Sequence, residues 1–261
     1  MRVAALALPG TAGSPAERVA WAERAAARAR AGGADLVVLP EAYLPGYRHA
    51  QADAEVEARA LAGRIGGHVA VGFLEGDGSW LGLATPDGGW TRYRKRHPSP
   101  DEARHWRAGT TPVVVPTALG RVGLLVCADL LEPERWAELR GVDLIAVAAA
   151  WPDYRGRQGP PHHRLVAAWL RRVGVRHRDA MLAAGARATG ATVAFAGAVG
   201  RWRGSEGFAG GGAVWWPDGT NAGAIADVRT ATPGPPLRLD PAWRGFMRAY
   251  RTAAGVASWT R

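Results

Sequence analysis

Lys95 and Cys127 are the only lysine and the only cysteine in the chain, and every other member of its 33-strong Lys+Arg set is arginine. An ammonium is a compact, rotating donor whose pKa moves on burial, whereas a guanidinium is a rigid fork that stays charged. A thiolate is the second reactive group that few side chains replace. Both residues stand at expected strand ends, Tyr93-Arg94-Lys95 and Leu125-Val126-Cys127, and Leu39-Pro40-Glu41 is a third. In α/β sheets reactive groups gather beyond strand ends. A carboxylate, an ammonium and a thiol at three such ends make a candidate acyl-transfer site. The thiol attacks a carbonyl carbon, and the carboxylate takes its proton and later activates water. The ammonium and a backbone N–H hold the oxyanion, a role worth about 3 kcal/mol per donor. Singly, each residue has a plainer reading: Cys127 as a small buried hydrophobe, Glu41 as a helix cap, Lys95 as a snorkelling edge residue.

The elements that position these residues alternate. Arg2 to Leu8 reads as a strand that Pro9-Gly10 ends. Ser14-Pro15-Ala16-Glu17 reads as a capping box with Pro at the first helical position, opening a helix to Ala31 that Gly32-Gly33 stops. Asp35 to Leu39 is a continuous apolar strand of the kind buried on both faces. A helix over 52–64 and a strand over 68–74 follow. Segments 80–84 and 90–94 read as a hairpin turning at Pro86-Asp87-Gly88-Gly89. Strands are expected over 113–115 and 122–126, a short helix over 133–139 and a buried strand over 142–149. The stretch 152–190 is mostly helical after a Pro/Gly/His-rich opening. Strands over 192–199, 213–216 and 224–228 and a tail helix over 241–251 complete an α/β chain with a mixed sheet.

Composition sets the bounds. The chain has 261 residues and 48% hydrophobic content, enough for a large core, and no linker or repeat divides it, so one domain over 1–261 is expected. No window approaches the roughly 20 apolar residues of a membrane span. The N-terminal apolar stretch is too short for a secretion signal, which makes a cytoplasmic location the default. One cysteine excludes an intrachain disulfide framework and a Cys-rich metal site. The net charge of +10 raises a polyanion partner, but the arginines are scattered over helical faces beside Glu and Ala and no nucleic-acid motif stands out, so neither nucleic acid nor membrane is expected as a partner.

The motifs resemble the nitrilase superfamily of carbon-nitrogen hydrolases over nearly the whole chain. Ala34 to Glu41 with Pro45-Gly46-Tyr47 looks like the first catalytic segment, and Tyr93-Arg94-Lys95-Arg96-His97 like the lysine segment. Val122 to Asp129 with Pro133-Glu134 looks like the nucleophile segment. Ala150-Trp151-Pro152, and Gly210-Gly211-Gly212 leading to Trp216-Pro217-Asp218-Gly219, resemble later markers. The resemblance implies a four-layer αββα sandwich, dimerised through a helical layer, needing no cofactor or metal. It makes Glu41 the general base, Lys95 the oxyanion partner and Cys127 the nucleophile. A second glutamate falls at Glu102, with Asp101 as the alternative, to orient substrate and tune the Lys95 charge.

Tyr47, Trp106, Asp129 and Trp151 are the expected substrate contacts. Tyr43, Tyr47, Trp106 and Trp151 are candidate pocket walls, with core packing an equal alternative for each. The Cys-x-Asp pattern at Cys127 and Asp129 resembles amide- and carbamoyl-cleaving members more than nitrile-cleaving ones. Ala128 replaces a common aromatic, a change expected to enlarge the pocket. Leu131-Glu132 and Thr189-Gly190 also depart from the family pattern. Arg155, Arg157, His162 and His163 either recognise an acidic substrate group or form a solvated loop. The expected substrate is a small-molecule amide, hydrolysed through a thioester. The alternatives are transfer of the same acyl group to an amine, or a silent scaffold or polyanion binder.

Overall fold

The structure is a computed structural model and describes residues 1–10, 12–44, 54–99, 102–153, 161–203, 206–238, 241 and 244, with 161–173, 202, 203 and 206 described by backbone alone. In chain order the elements are β1 (Arg2–Ala5), β2 (Leu8–Pro9), α1 (Pro15–Ala31), β3 (Leu36–Val38), α2 (Ala54–Ile65), β4 (His68–Glu75), β5 (Gly78–Ala84), β6 (Trp90–Arg94), β7 (Val114–Thr117), β8 (Gly120–Val126), α3 (Pro133–Ala137), β9 (Leu144–Ala149), α4 (Pro161–Thr189), β10 (Thr192–Val199), β11 (Arg201–Arg203), β12 (Glu206–Gly207), β13 (Gly212–Trp215) and β14 (Ile225–Asp227). Two short 3-10 helices, Glu102–Arg104 and Cys127–Leu131, lie between them.

One sheet runs β14-β1-β3-β4-β5-β6 and the other β13-β10-β9-β8-β7. The middles, β1-β3-β4 and β10-β9-β8, are parallel, and the strands flanking them are antiparallel. Helices α1 and α2 cover the first sheet, α4 lies on the second with α3 against it, and the bare faces of the two sheets pack together. The result is the four-layer αββα sandwich.

Strand periodicity builds those layers, because successive side chains point to opposite faces. Val3, Ala5, Leu36, Val38, Ala70, Leu81 and Leu83 enter the core between the sheets. Ala4, Val37, Leu39, Val69 and Val71 point the other way, onto Ala22, Ala26, Ala58 and Leu61 of the helices. That is why the run from Leu36 to Leu39 is apolar without a break. Each fully buried Val or Leu contributes about 1.5–3 kcal/mol over leaving it exposed. Helix α1 starts as expected: the Glu17 N–H donates to Ser14 Oγ at 3.3 Å and the Ser14 N–H donates to the Glu17 carboxylate at 2.7 Å.

Three features differ from the sequence reading. Leu8 and Pro9 do more than end a strand: they leave the first sheet and pair in parallel with Ala198 and Val199 of the second. Strand β5 begins at Gly78 and pairs with β4 as well as β6, so the hairpin is part of a three-strand meander. The small β11–β12 ribbon and both 3-10 helices are too short for periodicity to reveal. Tyr47, Asp101, Arg155, Arg157 and most of the tail segment 241–251 lie outside the described residues, as do the side chains of His162 and His163.

Candidate active site

Four strand ends from both sheets converge: Glu41 just past β3, Lys95 directly after β6, Cys127 directly after β8 and Ala150 directly after β9. Glu41 sits in a turn laid against β4. The Gly72 N–H donates to Pro40 O at 3.1 Å, and the Tyr43 N–H donates to Gly72 O at 2.8 Å. A Cβ at position 72 would stand 2.4 Å from Glu41 Cα and 2.6 Å from Pro40 O, so this approach requires glycine. The residue after Glu41, Ala42, has φ +49°.

Lys95 is held by its backbone on both sides. Its N–H donates to Ser79 O at 2.8 Å, and its carbonyl accepts the Gly109 N–H at 2.9 Å. Cys127 leaves its strand through φ +47°; it and Ala42 are the two non-glycine residues at positive φ among the described residues. For a residue with a Cβ this conformation costs about 1–2 kcal/mol. It turns the chain sharply from β8 into the 3-10 helix. Trp136 of α3, fully buried, secures that turn by donating from Nε1 to Leu130 O at 2.9 Å.

The side chains form one buried network. Lys95 Nζ donates to Glu41 Oε1 at 2.7 Å and to Glu102 Oε2 at 2.7 Å. Ser79 Oγ donates to Glu41 Oε1 at 3.2 Å and the Ala150 N–H to Glu41 Oε2 at 2.9 Å. The Ser99 N–H donates to Glu102 Oε2 at 2.6 Å. Side-chain exposure is 1% for Lys95, 0% for Glu41 and 17% for Glu102. An ammonium has three donors, and the third N–H of Lys95 has no partner among the described residues. Cys127 stands within electrostatic reach of all three charged groups and of the Ala150 N–H.

Burial and charge set the protonation states. Burial would lower the Lys95 ammonium, but Glu102 and Glu41 outweigh it and hold it well above its ordinary range. Burial, then Glu41, holds the Cys127 thiol well above its ordinary value against the pull of Lys95. Burial also raises Glu102, opposed by Lys95. The resting group is therefore a neutral thiol beside an ammonium and two carboxyl groups. Such a thiol reacts when a neighbouring base takes its proton.

The structure brings Glu41, Lys95, Glu102 and Cys127 together. It places the expected substrate contacts differently. Asp129 is 0% exposed. Its Oδ1 accepts the Arg96 and His97 N–H groups at 3.1 and 2.7 Å, and its Oδ2 accepts the Tyr93 hydroxyl and Val126 N–H at 2.8 and 2.9 Å. Its two oxygens accept four hydrogen bonds from the protein itself, where a substrate contact was expected. Tyr43 is core: fully buried, it donates its hydroxyl to Arg18 O at 3.1 Å. Trp151 is 4% exposed and joins the inter-sheet core, with Nε1 buried and unpartnered among the described residues. Trp106 is half-buried one turn beyond Glu102. Sequence reasoning missed Ser79, and it placed Tyr93 and Ala150 in motif segments without giving either a role. Ser79, a lone hydroxyl in an apolar strand, was the clearest available signal.

The fold is an αββα sandwich in which strand ends from both sheets meet at a buried thiol, ammonium and carboxyl group. The carbon-nitrogen hydrolase family profile matches residues 2–227, and the chain belongs to that family. The omega-amidase YafV of Escherichia coli (strain K12) is 31% identical over 136 residues, which is 47% of this chain and 53% of the relative. The alignment thus spans about half the length of that curated relative. An amidase from Nesterenkonia sp. superposes with a TM-score of 0.68 at 24% identity, covering 94% of this chain and 95% of its own. A carbon-nitrogen hydrolase superfamily protein of Xanthomonas campestris, with an arsenic adduct in its active site, gives 0.67 at 23% identity, covering 100% and 98%. Both structures share the fold.

Proposed function

We propose that the protein hydrolyses a carbon-nitrogen bond, amide or N-carbamoyl, in a small molecule through a Cys127 thioester. The observation that carries this is the ammonium of Lys95, fixed between two carboxyl groups with one N–H unspent beside the thiol. The omega-amidase and amidase relatives support an amide as substrate. Glu41 takes the thiol proton as sulfur bonds to the carbonyl carbon. The unspent Lys95 N–H meets the oxygen as it becomes negative, an electrostatic contribution available only in the transition state. Collapse breaks the carbon-nitrogen bond, and the leaving ammonia or amine takes the proton from Glu41. Glu41 then deprotonates water, which attacks the thioester and releases the acid and the thiol. Glu102 holds the second side of the ammonium, so Lys95 keeps its place through both steps.

The same reading includes one domain over residues 1–261, a homodimer or higher homo-oligomer and a cytoplasmic setting, where a lone thiol stays reduced. Sedimentation and cell fractionation test the last two. Among the described residues no helix is long and apolar enough to cross a membrane. The experiment on function is intact-mass trapping across primary amides, carbamoyl amino acids and nitriles, with Cys127→Ala as control. An acyl adduct on the wild-type chain, absent with Cys127→Ala, is expected. Undiminished turnover by folded Cys127→Ala overturns the reading.

A further inference from the structure

Asp129 is buried beside the reacting groups, yet the mechanism above gives it no step. Its four hydrogen bonds have a pattern. Val126, whose N–H it accepts, immediately precedes Cys127; Arg96 and His97 immediately follow Lys95; Tyr93 stands two residues before Lys95. One carboxylate therefore grips the chain on the N-terminal side of the nucleophile and on both sides of the ammonium-bearing residue. Those segments belong to different sheets: β6 closes the edge of the first and β8 lies within the second. Three of the four donors are backbone amide groups, so the grip fixes main chain rather than a mobile side chain. Hydrogen bonds to a buried ionised carboxylate are among the stronger kind, about 1.5–3 kcal/mol each.

We propose that Asp129 is a positioning residue that sets the separation of Cys127 and Lys95 across the two sheets, with the Tyr93 hydroxyl as its side-chain partner. This rests on the reading of Cys127 and Lys95 given above. The geometry favours it over a substrate contact, because neither Asp129 oxygen is left for a ligand. Misplacing reacting groups by about 1 Å costs on the order of 100-fold in rate. Asp129→Asn keeps the shape but turns an NH₂ toward two of the donors that the carboxylate now accepts.

The test measures kcat and KM for a primary amide, and the rate of Cys127 alkylation by iodoacetamide at fixed pH, in wild type, Asp129→Asn and Tyr93→Phe. Each value is normalised to the folded fraction from circular dichroism. The expected result is a fall in kcat of about 100-fold for Asp129→Asn and about 3- to 10-fold for Tyr93→Phe, with KM within about threefold. Alkylation changes in the same order, because the thiol sits differently against Glu41 and Lys95. A raised KM with unchanged kcat makes Asp129 a substrate contact and overturns the proposal. Unchanged kcat and alkylation in folded Asp129→Asn overturns it as well. If Asp129→Asn does not fold, Tyr93→Phe decides, and wild-type kcat and alkylation in that variant refute the positioning role. The alkylation arm needs no substrate. A wild-type protein inert toward amides therefore defeats the hydrolase reading while leaving the positioning role separately measurable.

Discussion

Replacing Lys95 by methionine tests the centre of the network, because it keeps roughly the same bulk and removes only the charge and its donors. Glu41 and Glu102 are then left facing each other across an apolar stem. Removing one partner of a buried ion pair costs about 3–5 kcal/mol. Two features place the loss near the lower end. Glu102 keeps 17% side-chain exposure and can turn toward water. Glu41 keeps the Ser79 hydroxyl and the Ala150 N–H. A loss of about 3 kcal/mol is still a large share of the roughly 5–15 kcal/mol that holds a domain folded.

The pH dependence has a definite sign. In the wild type the folded-state pKa of Lys95 is raised, so its contribution is full through the neutral range. It is lost only as pH climbs through that raised value, above the ordinary lysine range. In Lys95→Met, Glu102, already raised by burial, loses the ammonium that opposed the rise. A carboxyl raised in the folded state favours folding below its unfolded value of about 4.3 and loses that advantage as pH rises. The variant's deficit is therefore larger at pH 8 than at pH 5. Urea denaturation at both values reads this directly. Adding Glu102→Gln to Lys95→Met should return about 1–2 kcal/mol at pH 8, as expected for neighbours sharing one network. A loss under about 1 kcal/mol at pH 8, or the same loss at both pH values, refutes the idea that the ammonium holds the two carboxyl groups together.

Three further outcomes follow from named contacts. Gly72→Ala drives a Cβ into the backbone of Pro40 and Glu41; a loss of about 1–3 kcal/mol and a marked fall in kcat are expected, and wild-type melting and turnover contradict the packing. Ala42→Gly relieves the positive φ beside Glu41 and should raise stability by about 0.5–1 kcal/mol in denaturation, whereas a loss shows that the Ala42 side chain matters more than its backbone. Glu41→Gln removes a charge that holds the Cys127 thiol high. Ultraviolet titration should find the thiolate forming at lower pH, while amide turnover is lost; a thiol titrating higher than in wild type contradicts the assigned electrostatics.

Much of this was legible in the chain because two kinds of signal coincide. The unbroken apolar run from Leu36 to Leu39 announced a strand buried on both faces, and Ser14 and Glu17 announced a helix start. Lys95 and Cys127 announced themselves as singletons. What stayed hidden depends on contacts between distant segments. The Ala150 N–H is 109 residues from the Glu41 carboxylate it serves, and backbone amides carry no mark in a sequence. Asp129 showed as an acid two residues past the thiol, but its destination depended on a register between sheets that local pattern does not encode. The left-handed turns at Ala42 and Cys127 were equally silent, since neither residue is the glycine that positive φ normally demands.

The singleton lysine has a physical explanation in the site it occupies. At 1% exposure, with two acceptors at 2.7 Å, the position offers a compact cation two bonds and leaves one N–H unspent. A guanidinium carries five N–H donors in a fixed plane. Here it would meet two carboxyl groups, of which Glu41 already accepts Ser79 and Ala150 and Glu102 already accepts Ser99. Several donors would be buried without partners, each costing about 1–3 kcal/mol, and the longer head would fill the space beside the sulfur. A chain that uses arginine for its other cations thus retains lysine at the position where size and donor count exclude the alternative.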